Sequence, residues 1–329
     1  MNRSLTGTPT AAAAAVFFML TAPTTLAEAP PTALAVVHDP EARTILITAG
    51  ETPFTTVHYN SFTKPILWPV HGPGGHRMTR DWPMKPDTPG DDKDHPHHKS
   101  LWFNHGDVNG VDFWSESPRA GTIVTTAVKR AEIAEDGRAV VELANEWRAP
   151  DGHVVCKDTT VIRCGVVGEA RLIDYTITVA ATQGEVVFGD TKEGSMAVRS
   201  RPELNVERKN PIAAGSSRNR EGLVGKSLWG AASAWVDYHA PVEGKTIGFA
   251  MFDHPTNLRH PTTWHARDYG LVAANPFGLH DFSKDQPKGA GNFTIPADSS
   301  HTWRYGIFLY QGEQFADAIE TAWKQWAAH

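Results

Sequence analysis

Four long runs rich in β-branched and apolar residues follow one another between residues 122 and 180, over 122–133, 139–148, 154–163 and 170–180. Glu135-Asp136-Gly137 and Pro150-Asp151-Gly152 separate the first three, and the stretch 165–168, with a glycine at each end, separates the last two. Asp-Gly between such runs makes a tight reversal whose positive φ angles match the twist of the flanking strands, so the spacing predicts consecutive antiparallel hairpins. Shorter runs at 33–37, 44–48, 55–59, 186–188, 232–238, 246–252, 269–274 and 302–310 extend the pattern, and Asp39-Pro40-Glu41 turns the first pair. The stretch from Pro65 to Pro118 reads as irregular. One helix is predicted over 314–326, where Phe315, Ile319, Ala322, Trp323 and Trp326 form an apolar stripe that must dock on an outer sheet face. Many antiparallel strands and one helix make the chain all-β: a large antiparallel β-sandwich with a C-terminal helix, in one domain over 28–329.

The first 27 residues are excluded from that fold. Arg3, the apolar segment 11–20 and the small residues Thr25-Leu26-Ala27 read as a secretory signal cleaved near Ala27, which places the mature protein in the periplasm or outside the cell. The apolar segment is too short to span a bilayer, so no membrane span is expected. Export permits disulfides, yet Cys156 and Cys164 are the only cysteines. Eight residues of strand cover about 26 Å, against a disulfide reach of about 7 Å, so two free buried thiols on one strand face are expected. With 31 Lys+Arg against 37 Asp+Glu, the formal charge of -6 argues against a nucleic-acid partner.

The 16 histidines cluster. His95, His97, His98 and His105 fall within Asp94–Asp107, followed by Asp112-Phe113-Trp114. His254, His260 and His265 fall in a second segment with Arg259, Trp264, Arg267 and Asp268. Between them in sequence lies a charged turn holding Asp190, Lys192 and Glu193. Two chemistries use such residues. A metal would take His95, His97 and His105, although Pro96 disturbs the His-x-His pair and there is no helical H-E-x-x-H or Cys-x-x-Cys. A divalent metal therefore remains possible, and no cofactor is required. Alternatively, an imidazole beside a carboxylate moves protons near neutral pH, and indole faces stack on sugar rings. No G-x-S-x-G elbow, dinucleotide fingerprint or P-loop is present.

The segment Asp94-His95-Pro96-His97-His98-Lys99-Ser100-Leu101-Trp102-Phe103-Asn104-His105-Gly106-Asp107, continuing to Trp114, resembles the signature of a bacterial domain family labelled methane oxygenase PmoA, or PmoA-like. The segments 189–194, 252–261 and 264–278 extend the resemblance over roughly 55–310. It implies an exported β-supersandwich similar to galactose mutarotase and polysaccharide lyase sandwiches, and a role in carbohydrate metabolism. It carries over no catalytic residue. The leading expectation is a carbohydrate-active lyase, epimerase or hydrolase acting on a sugar or oligosaccharide. His97, His98, His105, Asp107 and Glu193 would handle protons; Trp102, Trp114, Lys192, His254, Arg259, His260, Trp264, His265 and Asp268 would bind substrate. The alternatives are a metal-dependent oxidoreductase, as the family label implies, and a non-catalytic carbohydrate-binding protein.

Overall fold

The computed structural model describes residues 32–314 and 316–329, together with Met1, Asn2 and Gly7. The expected signal segment and Phe315 lie outside the described residues. Two eight-stranded antiparallel sheets stack face to face. The first runs, edge to edge, through Leu34–Asp39, Thr44–Ala49, Thr52–His58, Ile66–Val70, Leu101–His105, Gly194–Arg199, Leu271–Ala274 and Trp264–Ala266. The second runs through Ser216–Asn219, Trp235–Val242, Lys245–Asp253, Ser300–Gln311, Ala170–Ala180, Val154–Val167, Ala139–Arg148 and Thr122–Ile133. A short ladder pairs Val186–Phe188 with Phe293–Ile295.

The Asp-Gly hairpins form as the sequence predicts. One boundary shifts: the third long strand runs on through Gly165 to Val167, and the reversal falls at Gly168, whose φ of 59° suits glycine. The stretch 65–118 is not wholly irregular. It contributes Ile66–Val70 and Leu101–His105 to the middle of the first sheet. Leu101–His105 is buried at every position, so it shows none of the alternation that marks a half-exposed strand. Cys156 and Cys164 are both buried and free on one continuous strand.

Period-2 alternation sorts the side chains of the first sheet. Leu101, Phe103, Met196, Val198, Trp264, Val272 and Ala274 face the second sheet and join the core with Phe249, Met251, Tyr305 and Ile307. Trp102, Ala197, Leu271 and Ala273 face outward and pack under Trp114 as a separate cluster. The C-terminal helix, Ala316–Ala327, docks on the outer face of the second sheet. There Ile319, Trp323 and Trp326 bury against Trp235, Phe252, Phe308 and Tyr310, each worth about 1.5–3 kcal/mol. No helix among the described residues is long and apolar enough to cross a membrane.

Candidate functional site

The outer face of the first sheet is the floor of the site. One rung crosses five strands as Ile66, Trp102, Ala197, Ala273 and His265. The two alanines leave space between the indole and the imidazole, and Trp114 fills part of it, 5.4 Å from Trp102 and 6.5 Å from His265 between ring centroids. Asn104 fixes this layer: its Oδ1 accepts from Trp102 Nε1 at 2.8 Å, and its Nδ2 donates to the Phe113 carbonyl at 2.6 Å. Asp112 Oδ1 accepts from the Trp114 and Ser115 amides and closes the turn.

Above the floor lies the loop of residues 94–99. Pro96 and the absence of a ladder leave its carbonyls needing donors. Buried cations supply them. Arg80 donates to the carbonyls of Asp92, His95 and His98; Lys99 reaches Pro96, and Lys64 reaches His97. Each flank is closed by one carboxylate shared between two cations. Asp94 binds Arg80 at 2.5 Å and Arg199 at 2.7 Å; Glu116 binds Lys64 at 2.5 Å and also Lys99. Burial alone would raise both carboxyls, but the paired cations outweigh it and hold each at about 2. Burial also pushes the Lys64 ammonium down to about 8, against the pull of Glu116.

The loop and floor enclose a cavity of about 420 Å³. His95, His97, His98, Trp114, Lys192, Glu193, His265, Arg267 and Tyr269 line it, with Gly106, Asp112 and Ser115. The His95 ring stacks on His98 at 4.8 Å and on Tyr269 at 5.2 Å, and gives Nδ1–H to Asp94 Oδ2 at 2.7 Å. Its φ of 45° is left-handed, an uncommon state for a side-chain-bearing residue. His97 meets His98 edge-on at 4.4 Å. Burial, then the charge of Lys64, lowers His97 to about 4; burial lowers His265 to about 3 and takes His98 well below the usual imidazole range. All three are neutral at pH 7. His265 gives Nδ1–H to the Lys192 carbonyl at 2.7 Å, which leaves Nε2 as an acceptor and pins the charged turn against the sheet.

The three histidine and charged segments therefore meet only in part. His97, His98, Glu193, Lys192, Trp114 and His265 come together. His105 does not: it shares the inward parity of Leu101 and Phe103, its Nε2–H goes to the Gly189 carbonyl at 2.8 Å, and its Nδ1 lies 3.3 Å from Ser195 Oγ. The expected metal trio of His95, His97 and His105 is thereby split across the strand. Among the described residues no group of three or more His, Cys, Asp or Glu is arranged to hold a metal ion. Asp107 accepts from the Gly110 amide and shapes a turn outside the cavity. Trp102 lies beneath the floor, and Trp264 faces the core, donating to the Ser233 carbonyl. His254 packs on Trp326 and His260 on Trp323, with His260 Nδ1–H on buried Asp253, so both brace the C-terminal helix. Arg259 donates to the carbonyls of Pro276, Ala290, Gly291 and Asn292. Asp268 lines an adjoining cavity of about 410 Å³ with Trp229, Arg267 and Tyr269.

Residues that sequence reasoning did not place in the proton-handling or sugar-stacking roles complete the site: Asp94 as partner of His95, and Tyr269, Trp229 and Arg267 as half-buried walls. One signal pointed to part of this set. His265, Arg267 and Tyr269 alternate with apolar Trp264 and Ala266 at strand period, and all three odd positions line the cavity.

Residues 44–324 match the model of a family of unknown function, DUF6807. The chain belongs to that family. No curated protein matches it. Among solved structures it is similar to the galactosidase domain of an alpha-galactosidase–sucrose kinase, at 8% identity and TM-score 0.38, over 84% of this chain and 42% of that one. It is also similar to an alpha-galactosidase from Lactobacillus brevis, at 9% identity and TM-score 0.33, over 84% and 39%. A galactose mutarotase-like protein from Clostridium acetobutylicum matches at 9% identity and TM-score 0.34, over 86% and 99%. The chain thus spans well under half of the two galactosidase chains.

Proposed function

We propose that the cavity binds a sugar and moves a proton on it by imidazole–carboxylate chemistry, as a lyase, epimerase or hydrolase does. The Asp94–His95 pair carries this reading. Because Nδ1–H is committed to Asp94 at 2.7 Å, the lone pair of His95 is on Nε2, the atom that takes a proton from substrate. Asp94 stays ionised and stabilises the imidazolium that results. Stacking on His98 and Tyr269 fixes the ring orientation, so little reorganisation accompanies the transfer. Neutral His97 and His265, with Glu193, present acceptors to hydroxyl groups.

The test is saturation-transfer NMR against a panel of mono- and oligosaccharides, followed by turnover of the hits monitored by mass spectrometry. Asn tolerates the left-handed backbone at position 95. His95→Asn is expected to keep binding and lose turnover. Failure of every sugar to bind wild-type protein overturns the sugar site. Binding with no turnover in wild type makes the protein a non-catalytic binding module, and turnover unchanged in His95→Asn removes the proton role of His95.

A further inference from the structure

Arg267 is the one residue besides Tyr269 that lines all three adjoining cavities on this face: the histidine cavity, the Asp268 cavity, and a third of about 540 Å³ bordered by Asp92, Lys93, Asp94, Glu207 and Lys209. Its guanidinium rests on the Trp229 ring at 4.8 Å and on the Tyr269 ring at 5.3 Å, so it is held flat and oriented. Among the described residues it has no carboxylate partner. Three of the nearby acids are engaged elsewhere: Glu193 with Lys192 at 2.9 Å, Glu207 with Lys209 at 3.0 Å, and Asp94 with Arg80 and Arg199. Asp268, its neighbour in sequence, lines the adjoining cavity with Lys226, makes no ion pair among the described residues, and keeps its Oδ1 buried without a hydrogen-bond partner.

The Tyr269 ring behind Arg267 also carries a second guanidinium. Arg199, 1% exposed, lies over the same Tyr269 ring at 4.6 Å, and its Nε and Nη1 have no hydrogen-bond partner. Asp94 serves both Arg80 and Arg199, so that cluster leaves one positive charge unmatched. This excess sits in a chain whose formal charge is -6. A preoriented, unpaired guanidinium with a second, under-partnered guanidinium behind it recognises a planar or tetrahedral anion.

We infer that the ligand of this site is an acidic sugar, carrying a carboxylate or sulfate that Arg267 takes in a two-pronged contact while the ring lies over the histidine cavity. This rests on the sugar reading above and names the class of sugar.

Calorimetric titration separates the two claims. Wild-type protein is titrated with matched pairs: galacturonate and glucuronate oligomers, their methyl esters or neutral parents, and the corresponding sulfated sugars. Charge-assisted hydrogen bonds are worth about 1.5–3 kcal/mol, so the acidic member should bind at least about tenfold more tightly. A preference for uronates names the anion as carboxylate, and one for sulfated sugars names it as sulfate. Arg267→Gln should erase the preference, and a preference retained in that variant overturns the assignment to Arg267. Equal binding of charged and neutral members by wild type overturns the inference and leaves the sugar site standing. Absence of binding by either member overturns both. The wild-type comparison does not depend on any variant folding.

Discussion

Replacing Glu116 by Gln tests how the histidine loop is held. Among the described residues Glu116 is the only carboxylate in ion-pair contact with Lys64, which is 1% exposed, and Lys99 is also nearly buried against it. Both ammoniums donate to loop carbonyls at 3.0 Å, Lys64 to His97 and Lys99 to Pro96. Folding lowers the Glu116 carboxyl from 4.5 to about 2, although burial works the other way. At 1.36 kcal/mol per pKa unit, that shift corresponds to on the order of 3 kcal/mol of stability at pH 7, in line with the roughly 3–5 kcal/mol lost when one partner of a buried ion pair is removed. A carboxyl depressed by folding stabilises above its unfolded pKa and stops doing so as pH falls through its folded value. The difference between wild type and Glu116→Gln should therefore be full above about pH 4.5 and shrink towards pH 2. Urea denaturation of both proteins across this range measures it, with sugar binding followed in parallel because the loop carries the cavity wall. A difference below about 1 kcal/mol at pH 7, or one that is the same at pH 2 and pH 7, refutes the argument that Glu116 anchors two buried cations.

The depressed imidazoles set a second pH dependence. His97, at about 4, and His265, at about 3, refuse protons that the unfolded chain binds below about 6.5, so stability climbs with pH through that window and levels above it. Denaturation midpoints against pH should show this slope, reduced in His97→Asn; an identical slope in the variant contradicts it. Arg259→Met strips the donors from four carbonyls and should cost about 2–3 kcal/mol in urea denaturation with sugar affinity unchanged. Lost affinity at full stability would instead put Arg259 at the ligand. The N-terminal segment is proposed as an export signal. N-terminal sequencing of protein recovered from the periplasm or medium should begin at Glu28, and a mature chain retaining residues 11–20 contradicts the proposal.

Much of the fold was legible because it depends on neighbours along the chain. The runs at 139–148 and 170–180 become strands with those bounds, since Asp-Gly turns and β-branched runs act locally. The helical stripe of Ile319, Trp323 and Trp326 docks on a sheet face because its period allows no other burial. Leu101–His105 carries no such local signal, because a strand buried on both faces has no period to read. At the site, segment-level reading brought His97, His98, Glu193 and His265 together, but residue type alone could not tell Trp264 from His265. The strand pleat sends the first into the core and the second into the cavity.

What the sequence determined by itself is the class of architecture and the neighbourhoods where polar chemistry concentrates, because hydrophobic period and turn residues operate over a few positions. What only the tertiary structure decided is which of those polar groups remain available to a ligand. Arg259 and Arg267 lie in one segment with the same side chain. Arg259 meets four carbonyls from a distant loop, while Arg267 meets two aromatic rings and no carboxylate. Partners far apart along the chain consume one guanidinium and leave the other free, and such pairing is set by packing across the sheet, which no local pattern encodes.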